Sequence, residues 1–329
     1  MLNKNSDPEF VKGVIAGLVS AGIDFIETGF LQTKGNGETI VYHNSKDIVK
    51  YLPSDCRNSN YLGFCDNSRY SIESLNDYDG KSFQWLRISF AKHEIDASLE
   101  FCRGAQEKGY FVQFNPMDSI SYSPEERENL IYKVNLVKPA AFSIVDTFGA
   151  MYLNDLTAIF NQVDALLDKE IKIGLHSHDN LGLSCALAEH MITLANEANR
   201  DIIVDGSLFG MGRGAGNAST ELLADYLNKM CGADYKIPIL LETIEKYVAP
   251  LRSRVHWGYD IPMYICGSAH SHVDNVYYLK EHYNCSMREM YEVVNTLTSS
   301  QRTRYGTNYS KTDFTDLQNV YESYQSEET

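Results

Sequence analysis

Two histidines separated by one residue are the side chains in this sequence best suited to chemistry. His176 and His178 follow an apolar segment, residues 171–173, and side chains on a strand alternate between its two faces. Both imidazoles are therefore expected on one side of a strand end, facing one point, where their nitrogens can bind a divalent metal ion. Taken alone, a His-x-His motif is also compatible with hydrogen-bonded histidines in the core or at the rim.

A glycine-rich segment follows the next predicted strand and favours the metal interpretation. Residues 210–216 contain four glycines and end at Asn217. Glycines allow positive φ and close backbone approach, and a following helix N-terminus suits an anion. The Asn217 amide oxygen can join the two histidines, and mixed nitrogen and oxygen ligation suits Mn²⁺, with Mg²⁺ or Zn²⁺ as alternatives. The competing role for Asn217 is to cap a helix over 218–230.

Further polar side chains stand near the ends of predicted strands. Arg87 lies inside an apolar strand and needs a partner there, either a substrate carboxylate or a structural pairing with Glu27 or Asp146. Thr147 either binds a substrate carboxylate or caps a turn. His43 and His93 are interpreted as structural. The strand-end candidates are Glu27, Arg87, Asn115, Asp146, Thr147, His176, His178 and Asn217. A second group of histidines and a tryptophan is dense in the C-terminal part, but the sequence does not indicate where their side chains point: His256, Trp257, His270 and His272.

The elements that must position these residues alternate between strand and helix about every 25–35 residues, the period of βα units. Because candidate residues follow many strand ends, we predict a TIM-type (β/α)8 barrel rather than a doubly wound open sheet. Only seven strands are found, so the barrel is expected to miss its first strand, between the Glu27 strand and the Ser207 strand. The predicted strands are 23–29, 61–65, 85–90, 110–114, 141–145, 171–178 and 201–207.

The predicted strands and helices divide the chain into two domains. Residues 1–230 are assigned to the barrel and residues 231–329 to a C-terminal helical subdomain, because strand patterns disappear after residue 231. The tail, 310–329, is expected to be frayed or a single surface helix. Predicted helices are 7–21 with Ser6 as N-cap, 95–109, 124–137, 152–167, 181–198, 218–230, 239–247 and 287–296.

Composition narrows the class of protein. A formal net charge of -15 at pH 7 argues against nucleic acid and anionic membranes as partners. No apolar run approaches the roughly 18 residues of a membrane span, and the first residues lack the apolar region of a signal peptide. The seven cysteines are dispersed without a C-x-x-C pair, as expected of reduced thiols in the cytoplasm.

Taken together, four motifs resemble the aldolase branch of the DRE-TIM metallolyases, which includes 4-hydroxy-2-oxovalerate aldolase and HMG-CoA lyase. The motifs are 174–180 (GLHSHDN), 210–217 (GMGRGAGN), 22–30 (GIDFIETGF) and 146–149 (DTFG). The resemblance implies a divalent-metal-dependent carbon–carbon lyase that cleaves a 4-hydroxy-2-oxo acid to pyruvate and an aldehyde. It also implies a homodimer or an aldehyde-processing partner enzyme.

Site residues carry over at matching positions. The resemblance implies that His176 and His178 bind the cation and that Asn217, as in the lyase branch, is a ligand. Thr147 matches the hydroxyl that holds the pyruvate carboxylate, and Tyr259 matches a tyrosine that takes part in proton transfer. Arg87 is also a candidate substrate-binding residue. This role follows from its position in an apolar strand and not from the resemblance.

One motif of these enzymes has no counterpart here. Their first strand ends in Thr-Leu-Arg-Asp-Gly, whose Asp is a metal ligand and whose Arg stabilises the enolate, and no Arg-Asp pair lies near the start of this sequence. A truncated chain is the first explanation and a naturally inactive relative the second. Little retro-aldol activity is therefore expected until such a strand is restored. The other functions considered are an acetyl-CoA-dependent synthase of the isopropylmalate synthase type and a non-catalytic binding protein.

Overall fold

A parallel β-sheet forms the centre of the computed structural model, which describes residues 7–35, 40–55, 57–303 and 314–328. Its strands are β1 (Phe25–Leu31), β2 (Val41–Tyr42), β3 (Asn60–Asp66), β4 (Trp85–Phe90), β5 (Phe111–Pro116), β6 (Ala141–Asp146), β7 (Lys172–Ser177) and β8 (Ile202–Val204). The strand order is β2-β1-β3-β4-β5-β6-β7-β8. All the pairings are parallel, so the carboxyl ends of the strands meet at one edge.

Helices alternate with the strands up to β8 and then continue alone. They are α1 (Pro8–Ala21), α2 (Ile95–Glu107), α3 (Pro124–Val137), α4 (Leu153–Leu166), α5 (Ser184–Ala198), α6 (Thr220–Cys231), α7 (Ile237–Thr243), α8 (Ala249–Arg252), α9 (Ile261–Ser268), α10 (Val273–Tyr283), α11 (Met287–Thr296), α12 (Ser299–Arg302) and α13 (Thr315–Glu328). A π-helical turn at Ile244–Val248 joins α7 to α8. This alternation, followed by a helical extension, confirms the predicted α/β fold class.

The predicted number of strands is wrong by one short element. Seven strands correspond to β1 and β3–β8, but β2 also pairs with the end of β1, at Phe30 and Leu31. Two residues are too few to give an alternating pattern, which is why the sequence did not indicate β2. The sheet order leaves β2 and β8 at its two edges, so the break lies between β8 and β2, the short strand that pairs with the end of the Glu27 strand.

The sheet curls into a barrel because strands from both ends of its order share one small core. Phe25 of β1 packs with Leu62, Trp85, Ala141 and Ile203, which come from β3, β4, β6 and β8. Residues of β1 and β8, from opposite ends of the strand order, can belong to one packed cluster only if the sheet wraps around. A much larger apolar cluster lies between the strands and the surrounding helices, as in barrels whose parallel strands are buried on both sides.

Local sequence sets the helix ends. The side chain of Asp7 accepts a hydrogen bond from Glu9 N at the start of α1, and Gly22 ends that helix in the left-handed conformation; the predicted N-cap, Ser6, lies outside the described residues. Ser123 and Glu126 form a capping box at the start of α3, which satisfies backbone N–H groups that a helix start leaves free.

Close contact between α1 and α7 covers the outside of the barrel near the break in the sheet. A Cβ atom on Gly17 would lie 2.2 Å from Thr243 Oγ1 and 3.0 Å from Thr243 Cβ, so the absence of a side chain at Gly17 lets the two helices approach. Leu240 and Ile244 pack in the same cluster as Ala21. Helix α7 thus contacts the barrel directly, and the predicted boundary at residues 230/231 stays a prediction.

The remaining helices build a second apolar cluster around α9, α10 and α11. Helix α13 contacts it through Leu317, which is 3% exposed, so residues 315–328 form a packed helix rather than a frayed tail; 304–313 lie outside the described residues. Within the described ranges, every helix is too short or too polar to cross a bilayer.

Candidate active site

The His-x-His pair lies at the carboxyl edge of the sheet. His176 is the fifth residue of β7, and His178, just beyond the strand, forms an isolated antiparallel bridge with Asn217. The two ring centroids are 5.2 Å apart and the ring planes are nearly perpendicular, at 89°. Strand alternation therefore brings the rings together, as the spacing predicts, and metal binding by them stays a prediction.

Each of these imidazoles is held through its Nδ1 atom. His176 Nδ1 lies 3.0 Å from a carboxylate oxygen of Asp205, and His178 Nδ1 lies 3.2 Å from the carbonyl oxygen of Gly216. Both partners are acceptors, so each neutral ring carries its proton on Nδ1 and its lone pair on Nε2. Metal-ligating histidines are oriented in this way by partners on the other nitrogen.

The charge state of His178 also suits a ligand. Burial, together with the nearby His176 and Arg213, lowers the pKa of His178 to about 3. The backbone carbonyls of Gly216 and Arg213 raise the pKa of His178, but they do not overcome the cost of placing a charge at this site. His178 is therefore neutral at physiological pH. A metal ion would not have to displace a proton from its ring.

Asn217, which is bridged to His178, carries an unsatisfied side-chain oxygen. Its Nδ2 donates to the Met211 carbonyl at 3.0 Å, whereas its Oδ1 is buried without a hydrogen-bond partner among the described residues. The alternative role is wrong, because α6 begins at Thr220 and Ser219, not Asn217, stands at its N-cap position. An orphaned buried oxygen is costly, and a cation at this point would satisfy it.

The donor set around the pair is small. In the parts of the chain that the structure describes, no group of three or more His, Cys, Asp or Glu side chains is arranged to hold a metal ion. A site at His176 and His178 would therefore depend on Asn217 or on a ligand of another kind. Both histidines and the amide fit a divalent cation in chemistry, as a nitrogen and oxygen donor set.

Arg87 connects three strands across the inside of the barrel. Its Nε donates to Glu27 Oε2 at 2.7 Å, and its Nη1 and Nη2 donate to Asp205 and Glu27. Burial alone would lower the pKa of Arg87, but Asp205 and Glu27 raise it above its usual value. Arg87 is thus paired with Glu27, one of the two structural partners considered, and not with Asp146; substrate binding by Arg87 stays a prediction.

Asp205 is a site residue that the sequence analysis missed. It follows β8 and joins the Arg87 ion pair to His176. Burial raises its pKa, but Arg87 and His176 outweigh this and hold the pKa below its usual range, so Asp205 is ionised. Its position after an apolar strand was a signal of the same kind that identified Asp146 and Thr147.

Thr147 and Asp146 organise the loop after β6. Thr147 Oγ1 accepts a hydrogen bond from the backbone N–H of Asp118 at 2.9 Å, so its hydroxyl proton remains available to a ligand. The Asp146 carboxylate accepts from the backbone of Ala150 and Met151 at 2.9 and 3.2 Å, and burial raises its pKa to about 6. Carboxylate binding by Thr147 stays a prediction.

Three further residues lie around the site: Asp118, His270 and Tyr259. Asp118, in the loop after β5, lies 2.6 Å from His270 Nε2, which comes from the end of α9; the sequence analysis gave His270 no direction and did not consider Asp118. Tyr259 lies next to the glycine-rich segment, because Gly258 N donates to the Ala215 carbonyl at 3.1 Å. Its side chain is 58% exposed, and its role in proton transfer stays a prediction.

Comparison with known proteins agrees with this architecture. Residues 85–242 match the family model described as HMGL-like. The 4-hydroxy-2-oxovalerate aldolase of Roseiflexus castenholzii is 34% identical over 173 residues, which are 52% of this chain and 49% of that protein. The 4-hydroxy-2-oxovalerate aldolase 4 of Rhodococcus opacus is 27% identical over 254 residues, 74% of this chain and 70% of that protein. The chain thus spans from about half to 70% of these relatives.

A solved structure extends the similarity to most of the fold. The N-terminal domain of a candidate aldolase from Bacteroides vulgatus superimposes with a TM-score of 0.71 at 22% identity, covering 86% of this chain and 94% of that one. At this identity the likeness concerns the fold. This structural likeness and the named relatives together confirm the resemblance to the DRE-TIM metallolyase superfamily.

Proposed function

We propose that this chain, whose residues 85–242 match the HMGL-like family model and which resembles the DRE-TIM superfamily, is a divalent-metal-dependent aldolase. Its substrate would be a 4-hydroxy-2-oxo acid, cleaved between C3 and C4 to pyruvate and an aldehyde. The relatives named 4-hydroxy-2-oxovalerate aldolase support the reaction class. Mn²⁺ is the preferred cation, because two imidazoles and an amide oxygen form a mixed donor set.

One observation carries this proposal. The Nδ1 atoms of His176 and His178 are both engaged by acceptors, which leaves Nε2 of each neutral ring as the candidate donor. Asn217, whose Oδ1 has no partner among the described residues, is bridged to His178. A bound divalent cation would polarise the 2-oxo group and offset the negative charge that develops when the bond breaks. Asp205 would fix the orientation of His176, and the hydroxyl of Thr147 would donate to the substrate carboxylate.

The first experiment measures Mn²⁺ binding by isothermal titration calorimetry. His178→Ala should abolish binding, whereas His190→Ala should not, because His190 lies on α5 and hydrogen-bonds Thr157. Binding that is equal in wild type and His178→Ala would contradict the metal site.

The second experiment measures pyruvate release from a panel of 4-hydroxy-2-oxo acids. It is run on the 329-residue chain and on the chain preceded by a strand ending in Thr-Leu-Arg-Asp-Gly, since no such motif stands in this sequence. Release that requires Mn²⁺ and is lost in His178→Ala supports the aldolase. Mn²⁺ binding without release in either form would instead indicate a non-catalytic binding protein.

A further inference from the structure

A histidine–aspartate pair joins the C-terminal helices to the rim of the barrel. His270 Nε2 lies 2.6 Å from Asp118 Oδ1, although the two residues are 152 positions apart. The Asp118 side chain is 10% exposed and the His270 side chain 29% exposed. The carboxylate is thus nearly buried, while the imidazole still reaches the open side of the rim.

Both residues of this pair adopt left-handed backbone conformations. The φ angle is 58° at Asp118 and 50° at His270, a region that residues other than glycine seldom occupy. Such conformations persist where the surrounding structure enforces them, and they concentrate at functional sites. Two of them on opposite sides of one short hydrogen bond indicate that the contact is built into the fold.

The pair lies next to the proposed substrate site. The backbone N–H of Asp118 donates to Thr147 Oγ1, the residue proposed to bind the substrate carboxylate. The His270 ring packs edge-on against Phe148, with centroids 5.1 Å apart. The Phe148 carbonyl accepts from Asn180, whose Oδ1 in turn accepts from Ala215 N in the glycine-rich segment. Asp118 and His270 therefore share the rim with Thr147 and the segment that leads to Asn217.

The imidazole of His270 has one engaged and one open ring nitrogen. Its Nε2 is committed to Asp118, and no hydrogen bond involves its Nδ1 within the described ranges. Other histidines of the extension differ in this respect. His272 contacts Arg213 and caps α10, and His256 is 76% exposed beside Asp260. A ring that is oriented by a buried carboxylate and open on its other nitrogen suits general base catalysis.

We propose that His270 is the general base of the cleavage reaction and that Asp118 is its positioning residue. This inference rests on the proposed aldolase function. His270 Nδ1 takes the proton of the substrate 4-hydroxyl, and the C3–C4 bond breaks as O4 becomes the carbonyl oxygen of the leaving aldehyde. The electron pair of the broken bond becomes the C2–C3 enolate of pyruvate. C3 of the enolate then takes up a proton from water, and protonated His270 returns the O4 proton to water, so that the base is regenerated and no proton is gained or lost overall.

The test compares His270→Asn and Asp118→Asn with His256→Asn, an exposed His–Asp pair of the same extension. Asparagine tolerates positive φ, so neither substitution at the pair should strain the backbone. His270→Asn should lower kcat for cleavage by about 10²–10⁴-fold with little change in KM, because a general base acts on the transition state. Asp118→Asn should lower kcat by at least about tenfold, and His256→Asn should leave it unchanged.

Two readouts separate this role from a structural one. Exchange of the pyruvate C3 hydrogens in D₂O should persist in His270→Asn, because that exchange involves no 4-hydroxyl proton. In His270→Gly, which also accepts positive φ, added imidazole should restore part of the cleavage rate.

Each result has one meaning. If wild type cleaves its substrate and His270→Asn cleaves it equally fast, His270 is not the base, and the aldolase function still stands. Loss of C3 exchange together with cleavage in His270→Asn, without rescue by imidazole, would assign the pair to structure and overturn the inference. If no form of the chain cleaves a substrate or exchanges pyruvate, the proposed function fails, and the role of His270 fails with it.

Discussion

A buried histidine in the C-terminal extension should make the stability of this protein depend on pH. His272 is 7% exposed, and burial, reinforced by Arg213, lowers its pKa to about 3. In the unfolded chain the same group titrates near its ordinary value of about 6.5. Between about pH 3 and pH 6.5, His272 therefore carries a proton in the unfolded chain but not in the folded chain.

The sign and size of the effect follow from linkage. Because the folded-state pKa is lowered, the stabilisation from neutral His272 is complete above about pH 6.5 and is lost as the pH falls toward 3. Each pH unit in that window changes the free energy of unfolding by about 1.4 kcal/mol. Between pH 7.5 and pH 5.0, His272 alone should account for a loss of about 2 kcal/mol.

The substitution His272→Asn isolates this contribution. His272 is the N-cap of α10, where its Nδ1 accepts from Asp274 N at 3.2 Å, and asparagine is a preferred N-cap residue. The variant should therefore keep the cap while losing the titration. His178, whose pKa is also lowered, is present in both proteins, so its contribution cancels in the comparison.

The assay is urea unfolding at pH 7.5, 6.5 and 5.0 in the presence of a chelator. Wild type should lose about 2 kcal/mol more than His272→Asn between the extremes of pH. His256→Asn, at an exposed position, serves as the control and should follow wild type. Identical pH dependence in wild type and His272→Asn would refute the assignment of this effect to His272.

Three other changes test the fold and the site. Gly17→Leu should lower the free energy of unfolding by about 1–3 kcal/mol, since the new side chain meets α7; equal urea midpoints for the variant and wild type would contradict the close contact. Arg87→Met should cost about 3–5 kcal/mol in the same assay, because two carboxylates lose their buried partner, whereas Arg103→Met, at an exposed pair, should cost little. Asn217→Ala should weaken Mn²⁺ binding in calorimetry by at least about 10–100-fold, as loss of an orienting group already does; unchanged affinity would exclude the amide as a ligand.

Much of this molecule was determined locally by its sequence. The alternation of side chains along β7 put His176 and His178 on one side of the strand end, and the capping residues Ser123 and Glu126 marked the start of α3. Alternating strands and helices predicted the barrel. These features depend on residues a few positions apart, and their geometry follows from backbone periods of 2 and 3.6 residues.

Other features were decided only by tertiary structure. The partners of Arg87 are 60 and 118 positions away, and the sequence could offer only a choice among carboxylates at strand ends. The short strand β2 exists because β1 presents an edge to it. His270 meets Asp118 across 152 positions, a contact between two left-handed residues that lie far apart in the sequence. Contacts of this kind depend on how strands and helices are arranged around the barrel, and no local pattern encodes that arrangement.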